Sequence, residues 1–354
     1  MKQHIISATA TLCDALERLN DLSGGTMTLF VTLPENGAVQ GTVTDGDIRR
    51  ALLRGVGLDD SVTEAMHRGF KSFPPGTVDP EMLREYRRQG IVLVPHLDAE
   101  GRIATIVDLT SLRSILPLRA VLMAGGKGER LRPATLETPK PLLTIDGKAI
   151  IDYNVELLAS VGVKDITVAT RYLSEKIVDH FRQPVAGIMV NCVKEDEPMG
   201  TIGAVALTDT PAEGDTIVMN SDLLTTIDFE EMYLRHKRQK ADITIAAIPY
   251  TVSVPYAILS TEGRQVLGLE EKPAYSYFAN AGIYIFSNAV LRTLPPSGIT
   301  DATTLIQQTI ERGGNVTYFP INGTWIDVGT PADFRHAEEL MRHHRNLRNV
   351  HHPE

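Results

Sequence analysis

Between Ala120 and Leu143 the chain reads AVLMAGGKGERLRPATLETPKPLL. An apolar strand enters a turn with three glycines (Gly125, Gly126, Gly128) and two cations (Lys127, Arg130), and a third cation, Lys140, lies beyond between two prolines. Residues without a Cβ let successive backbone N–H groups close on an anion. Lys127 and Arg130 would neutralise the charge that backbone dipoles alone cannot. The chemistry is that of a polyphosphate cradle. Two familiar phosphate loops fail on spacing. A dinucleotide fingerprint starting at Gly126 needs glycine where Leu131 stands, although Asp146 sits about where a ribose carboxylate is expected. A Walker loop needs Ser or Thr after Lys127, where Gly128 stands. A turn that merely joined a strand to a helix would have no need of three cations.

The elements that must position this loop alternate from Arg119 onward. Apolar spacing predicts helices over Ile150–Val161 and Ser174–Phe181, with strands over Asp165–Ala169, Ile188–Val193 and Thr216–Met219. Strands separated by helices imply a mostly parallel sheet with right-handed crossovers. In such sheets ligands collect beyond the carboxyl ends of the strands, where the glycine turn lies.

The run A-G-G-K-G-E-R-L-R-P from Ala124, followed by T-P-K-P-L-L, resembles the signature of the sugar-phosphate nucleotidyltransferases, the NDP-sugar pyrophosphorylases. Four later stretches resemble the same family in the same order: Glu195–Ala204 (EDEPMGTIGA), Asn220-Ser221-Asp222, Glu271-Lys272-Pro273 with Asn280–Phe286 (NAGIYIF), and Trp325–Phe334 (WIDVGTPADF). Met199 and Ile202 stand where the family usually has Leu and Ala. The resemblance implies an α/β fold with a mixed, mostly parallel Rossmann-like sheet. It implies that Lys127, Arg130, Lys140 and Lys272 hold phosphates at the reacting centre, and that Ala124, Gly125, Gly126, Gly128, Glu195, Gly200 and Thr201 bind the nucleotide. Glu271, Asn280 and Gly282 would meet the sugar, and Asp222 and Asp327 would hold Mg²⁺. Chemistry is compatible residue by residue. Gly200 permits close backbone approach, a helix starting near Thr201 offers free N–H groups, and a strand end such as Asp222 fixes an oxygen ligand rigidly. A carboxylate at Glu195 accepts from adjacent N–H donors, which guanine presents and uracil does not, so GTP is favoured. Thr330 before Pro331 makes a capped helix start.

The first 116 residues repeat themselves once. A helix (Leu12–Leu19; Pro80–Gln89), a strand (Met27–Leu33; Ile91–Pro95) and a strand ending in T-x-x-D recur, with Thr44 and Asp47 returning as Thr105 and Asp108. This half resembles a tandem pair of cystathionine-β-synthase (CBS) modules, an α+β pair spanning about 1–60 and 61–116, although Arg102 stands where glycine is usual. The resemblance implies an adenine-nucleotide effector touched by Thr44, Asp47, Thr105 and Asp108. The alternative is that the threonines finish strands and the aspartates cap the following helices. Pro117 is expected to end a helix over Leu109–Leu116, with the catalytic domain filling 117–350.

Composition excludes several other classes. With 43% hydrophobic and 22% charged residues the chain is an ordinary globular protein, and its length suits two domains. A formal net charge of −9 argues against nucleic acid, whose phosphates need a basic partner surface. No apolar run approaches the ~20 residues of a membrane span, and no signal-peptide core follows Met1, so a cytoplasmic protein is expected; a homo-oligomer is expected beside the CBS resemblance. Two cysteines, Cys13 and Cys192, make neither a disulfide framework nor a zinc cluster. The expected activity is condensation of an NTP with a sugar 1-phosphate, releasing pyrophosphate, for surface glycoconjugates and with an amino-sugar phosphate favoured. The rival is a nucleotide-sensing regulatory protein with an inactive transferase domain.

Overall fold

The computed structural model describes residues 2–22, 26–76, 78–110, 112 and 114–351. The chain divides into two compact units, Met1–Pro117 with Ser160–Gly162, and Leu118–Ala159 with Val163–Glu354.

In the first unit β1 (Ile5–Ser7), α1 (Leu12–Asp21), β2 (Thr28–Thr32), β3 (Val39–Thr44) and α2 (Asp45–Leu53) precede α3 (Pro80–Arg88), β4 (Leu93–Leu97) and β5 (Ile103–Asp108). β2 lies parallel to β1 and antiparallel to β3, and β4 is antiparallel to β5. The order helix, strand, strand thus occurs twice. Each repeat has its own core, Leu12, Leu29, Val43 and Ile48 in one and Phe73, Leu83, Val94 and Val107 in the other. Helix starts are chemically marked: Thr11 with Asp14 and Thr44 with Asp47 form capping boxes, and Asp79 caps α3 ahead of Pro80. The expected helix over Leu109–Leu116 does not form. Residues 111 and 113 lie outside the described residues; of the others, Leu109 and Thr110 make a turn and Ser114–Leu116 are irregular. The Asp108 carboxylate accepts from both the N–H (2.8 Å) and the hydroxyl (2.6 Å) of Thr110, a local turn that competes with helix initiation.

The second unit contains β6 (Leu118–Ala124), β7 (Thr144–Ile145), β8 (Lys148–Ala149), α4 (Ile150–Ser160), β9 (Asp165–Thr170), α5 (Ser174–His180), β10 (Asn191–Lys194), β11 (Asp215–Asn220) and β12 (Leu223–Thr225). Then follow α6 (Phe229–Arg238), β13 (Ile243–Ser253), β14 (Ile258–Glu262), β15 (Gln265–Glu270), β16 (Ala274–Ser287), α7 (Asn288–Leu291), α8 (Ala302–Glu311), β17 (Val316–Pro320), β18 (Trp325–Asp327) and α9 (Pro331–His351). Seven strands make one sheet in the order β10-β9-β6-β11-β16-β13-β17. Pairing is parallel from β10 through β11 and between β13 and β17; β16 is antiparallel to both neighbours. β6, β9 and β11 are almost continuously buried, as strands covered on both faces must be. Val121, Val218, Phe286, Met199 and Leu305 share one core cluster, so the segment from Met199 and helix α8 pack on this sheet. The expected buried strand Ile188–Val193 shifts to Asn191–Lys194 and is half-exposed, because β10 is an edge strand with β9 as its sole partner.

A buried polar network ties this sheet to α6. The Asp215 carboxylate, 6% exposed, takes Lys237 Nζ at 3.0 Å and His236 Nε2 at 3.4 Å, while His236 Nδ1 meets Thr244 Oγ1 at 2.8 Å. Burial alone would raise the Asp215 carboxyl, but its bonds to His236 and Lys237 outweigh burial and hold it below its ordinary value. A depressed carboxyl contributes stability above the unfolded value, about 4, and loses it as pH falls through the lower folded value. Asp215→Asn should therefore cost about 1–3 kcal/mol near neutrality. Thermal unfolding followed from pH 7 to pH 3 should show the gap between the two proteins closing below about pH 4.

Candidate active site

Register in the parallel half of the sheet decides which residues meet. Lys194 pairs with Thr170, Thr170 with Ala124, and Met123 with Asn220. The residues that follow, Glu195, Arg171, Gly125 and Ser221, therefore stand side by side along the carboxyl edge of four adjacent strands. The first three, with Asp222 just past Ser221, border a cavity of about 360 Å³ that Gly126 and Gly200 also line.

The glycine turn leaves β6 without a regular helix. Gly128 adopts φ +61°, and a methyl group there would come within 3.1 Å of Lys140 Cβ. Thr135 Oγ1 donates to the Gly128 carbonyl at 2.8 Å, and the Tyr172 hydroxyl donates to the Thr135 carbonyl at 3.0 Å, so the loop returns against itself. Lys127 and Arg130 are exposed. Arg130 nevertheless packs against the residues after β18: a methyl on Gly329 would sit 3.1 Å from Arg130 Nη2.

Asp222 and Asp327, far apart in sequence, meet because β12 pairs antiparallel with β18, with Leu223 opposite Asp327. Lys140 Nζ lies between them, hydrogen-bonded to Asp222 Oδ2 and 3.4 Å from Asp327 Oδ1. Lys140 is buried, and without this pair its charge would be costly. Asp222 Oδ1 is buried with no hydrogen-bond partner among the described residues. An orphaned carboxylate oxygen beside a second carboxylate is the donor set of a hard cation that takes its remaining oxygens from substrate phosphates, so these residues fit Mg²⁺.

At the opposite end, Glu195 is 4% exposed. Its Oε2 accepts from the Met199 N–H at 3.2 Å, and Oε1 rests against Gly125, where a methyl would come within 2.7 Å. Burial pushes the Glu195 carboxyl above its ordinary value, and the Met199 N–H and the charge of Arg171 pull it back only in part. The sign is opposite to that of Asp215. A raised carboxyl favours the fold at low pH and loses that contribution as pH rises through the folded value. Glu195→Gln is thus expected to melt a few degrees higher than the parent at pH 8 and equally at pH 4. An unchanged melting difference across that range would show that the carboxylate carries no burial penalty.

The remaining expected site residues differ in where they stand. The Thr201 N–H is not free: Asp301 Oδ1 accepts it at 3.0 Å, and the helical turn begins later, at Gly203. Thr201 Oγ1 in turn accepts from Ala302 N at 2.9 Å, so Thr201 clasps α8 to the cavity wall. Asn280 Oδ1 accepts from Gly282 N at 3.0 Å, and Gly282, at φ +70°, packs on Asn220, a cavity residue. Glu271 and Lys272 stand exposed in the bend between β15 and β16, and neither lines the cavity. In the first unit a second cavity, about 400 Å³, is lined by Thr44, His67, Lys71 and neighbours from both repeats. Of the four T-x-x-D residues Thr44 alone lines it. Asp47 is engaged by the Thr44 N–H and hydroxyl and by Arg50, Asp108 holds Thr110, and Thr105 is exposed. The sequence reasoning missed Arg171 and Asn220, which lie one position past β9 and at the end of β11; strand ends were the available signal.

A family model described as nucleotidyl transferase matches residues 119–344. The D-glycero-alpha-D-manno-heptose 1-phosphate guanylyltransferase of Aneurinibacillus thermoaerophilus is 30% identical over 64% of this chain and 100% of its own length. The mannose-1-phosphate guanylyltransferase catalytic subunit beta of Xenopus tropicalis is 33% identical over 61% of this chain, which spans 62% of that relative's length. Among solved structures, HddC from Yersinia pseudotuberculosis complexed with GMP-PN superposes with a TM-score of 0.50 at 25% identity, over 63% of this chain and 99% of that one.

Proposed function

The chain belongs to the nucleotidyl transferase family, and from that premise we propose that it joins a sugar 1-phosphate to the GMP part of GTP and releases pyrophosphate. One observation carries the reading: Asp222 lines the same cavity as Gly125, Gly126, Glu195 and Gly200, and keeps an unpartnered buried oxygen beside Lys140. The glycine turn, the Glu195 acceptor and the Asp222 carboxylate thus share one cleft. The sugar phosphate arrives already ionised, so no general base is needed, and the work left to the protein is alignment and charge neutralisation. Mg²⁺ held by Asp222 and Asp327 would supply a counter-charge for phosphate oxygens. Lys127 and Arg130 are assigned to the departing pyrophosphate, Lys140 and Lys272 to phosphates at the reacting centre. Glu271, Asn280 and Gly282 are assigned to the sugar. Guanine as the base is supported by the names of the relatives above and by the acceptor at Glu195.

The sugar class is proposed to be a surface-glycoconjugate hexose, heptose or amino sugar. The first unit is proposed to be a CBS pair that takes a nucleotide effector in its own cavity, where the Lys71 ammonium and the Thr44 hydroxyl can donate to phosphate. Pyrophosphate release measured with Mg²⁺ across GTP, ATP, UTP and CTP and a set of sugar 1-phosphates tests the assignment. Turnover confined to GTP supports it. No turnover with any pair, together with tight adenine-nucleotide binding, replaces it with the sensor. Repeating the assay with added AMP or ATP reads the effector.

A further inference from the structure

The cavity wall holds one charged side chain to which no role has been given. Arg171 is the first residue beyond β9 and lines the cavity next to Glu195. The two are neighbours by register: Thr170 pairs with Lys194, and the Glu195 N–H donates to the Thr170 carbonyl at 2.8 Å. Adjacent strands lie about 4.8 Å apart, so the two side chains leave the sheet edge side by side. They form no ion pair. The guanidinium of Arg171 makes no hydrogen bond or ion pair with any described residue, and only its charge acts on the Glu195 carboxyl. Glu195 is fixed through Oε2, and its Oε1 has no hydrogen-bond partner among the described residues. The wall therefore presents a fork of N–H donors immediately beside a carboxylate acceptor.

We infer that Arg171 is the specificity-determining partner of Glu195, its guanidinium donating to O6 and N7 of guanine while the carboxylate accepts from N1–H and the 2-amino group. The inference deepens the GTP reading above and rests on it. Guanine alone carries two adjacent donors next to two adjacent acceptors. Adenine would set its 6-amino group against the guanidinium and its N1 acceptor against the carboxylate, leaving both charges desolvated and unpaired. Uracil and cytosine have no acceptor at the N7 position. The free arginine also explains how a buried carboxylate can wait beside a cation without being quenched: a rigid salt bridge would have to be broken before a base could enter.

The test compares the parent with Arg171→Ala and Arg171→Lys on GTP, on 7-deaza-GTP, which lacks the N7 acceptor, on ITP, which lacks the 2-amino group, and on ATP and UTP. Arg171→Ala is expected to lower kcat/KM for GTP roughly 10–100-fold through KM, with kcat within about 3-fold. The parent should lose several-fold on replacing GTP by 7-deaza-GTP, and that loss should vanish in Arg171→Ala, whereas the loss from GTP to ITP should persist. Arg171→Lys keeps the charge but not the fork and should behave like the alanine variant in the 7-deaza comparison. If Arg171→Ala weakens GTP, ATP and UTP by one common factor and leaves the 7-deaza loss intact, the arginine serves phosphate and the inference is overturned. If the parent itself does not prefer GTP, the guanine reading fails first and takes the inference with it, a pattern visible before any variant is made.

Discussion

Asp222→Asn should lower kcat by about 10²–10³-fold or more and leave the melting temperature within a few degrees of the parent. The asymmetry follows from how the residue is held. Ser221, just before it, donates both its N–H (3.2 Å) and its hydroxyl (2.7 Å) to the Met123 carbonyl, and Asn154 Nδ2 donates to the Ser221 carbonyl at 3.2 Å. On the other side the Val328 N–H donates to the Asp222 carbonyl at 3.1 Å. All of these bonds involve backbone or neighbouring residues, so none is lost when the carboxylate becomes an amide. Lys140 retains Asp327 as a counter-charge. What disappears is the charge in the Lys140–Asp222 bond, which Asp327 offsets in part, and the unpartnered carboxylate oxygen Oδ1, which together with Asp327 makes the hard-cation donor pair proposed for the cleft. Pyrophosphate release against Mg²⁺ concentration, run beside thermal unfolding, reads both halves. Undiminished turnover with ordinary Mg²⁺ dependence would remove Asp222 from the centre.

Gly200→Ala should damage fold and site together. Gly200 has φ +81°, where an L side chain costs about 1–2 kcal/mol. The new methyl would also lie 2.5 Å from the Thr300 carbonyl oxygen and 3.0 Å from Asp301 Oδ1. The first is backbone and cannot swing aside. It is held there by its own bonds, since the Ile202 and Gly203 N–H groups both donate to that same carbonyl at 3.2 Å and the Thr300 N–H donates to the Met199 carbonyl at 2.9 Å. Overpacking of this kind costs a further 1–3 kcal/mol or so. The sum, about 2–5 kcal/mol, corresponds to a fall of roughly 5–15 °C in Tm for a unit of this size. Relief of the clash must separate Met199–Gly203 from Thr300–Asp301, which undoes the Thr201–Asp301 clasp and the Met199 N–H that steadies Glu195. KM for the nucleotide should therefore rise at least 10-fold at temperatures where the variant is still folded. A stable variant with unchanged KM would show that this wall of the cavity is not built as described.

Local chemistry carried the reading of the glycine turn. Three glycines beside Lys127 and Arg130 need no tertiary information to suggest an anion, because the absence of Cβ atoms and the formal charges are properties of the residues themselves. The mixed, mostly parallel sheet was equally legible, since β6, β9 and β11 are apolar runs separated by helical periodicity. Failures came where a local signal competed with a longer-range partner. Leu109–Leu116 has helical spacing, but Asp108 spends its carboxylate on Thr110. Thr201 looks like the start of a helix with idle donors, yet Asp301, a hundred residues away, takes its N–H.

What the sequence determined by itself was the inventory: which residues carry charge, which lack a side chain, and in what order they come. What only the tertiary structure decided was juxtaposition. Pairing of β12 with β18 brings Asp222 to Asp327 around Lys140, and the register of β9 against β10 sets Arg171 beside Glu195. Hydrogen-bond register between distant strands is fixed by the packing of a whole sheet, and a shift of one residue would turn every one of these side chains to the other face. No spacing along the chain contains that information.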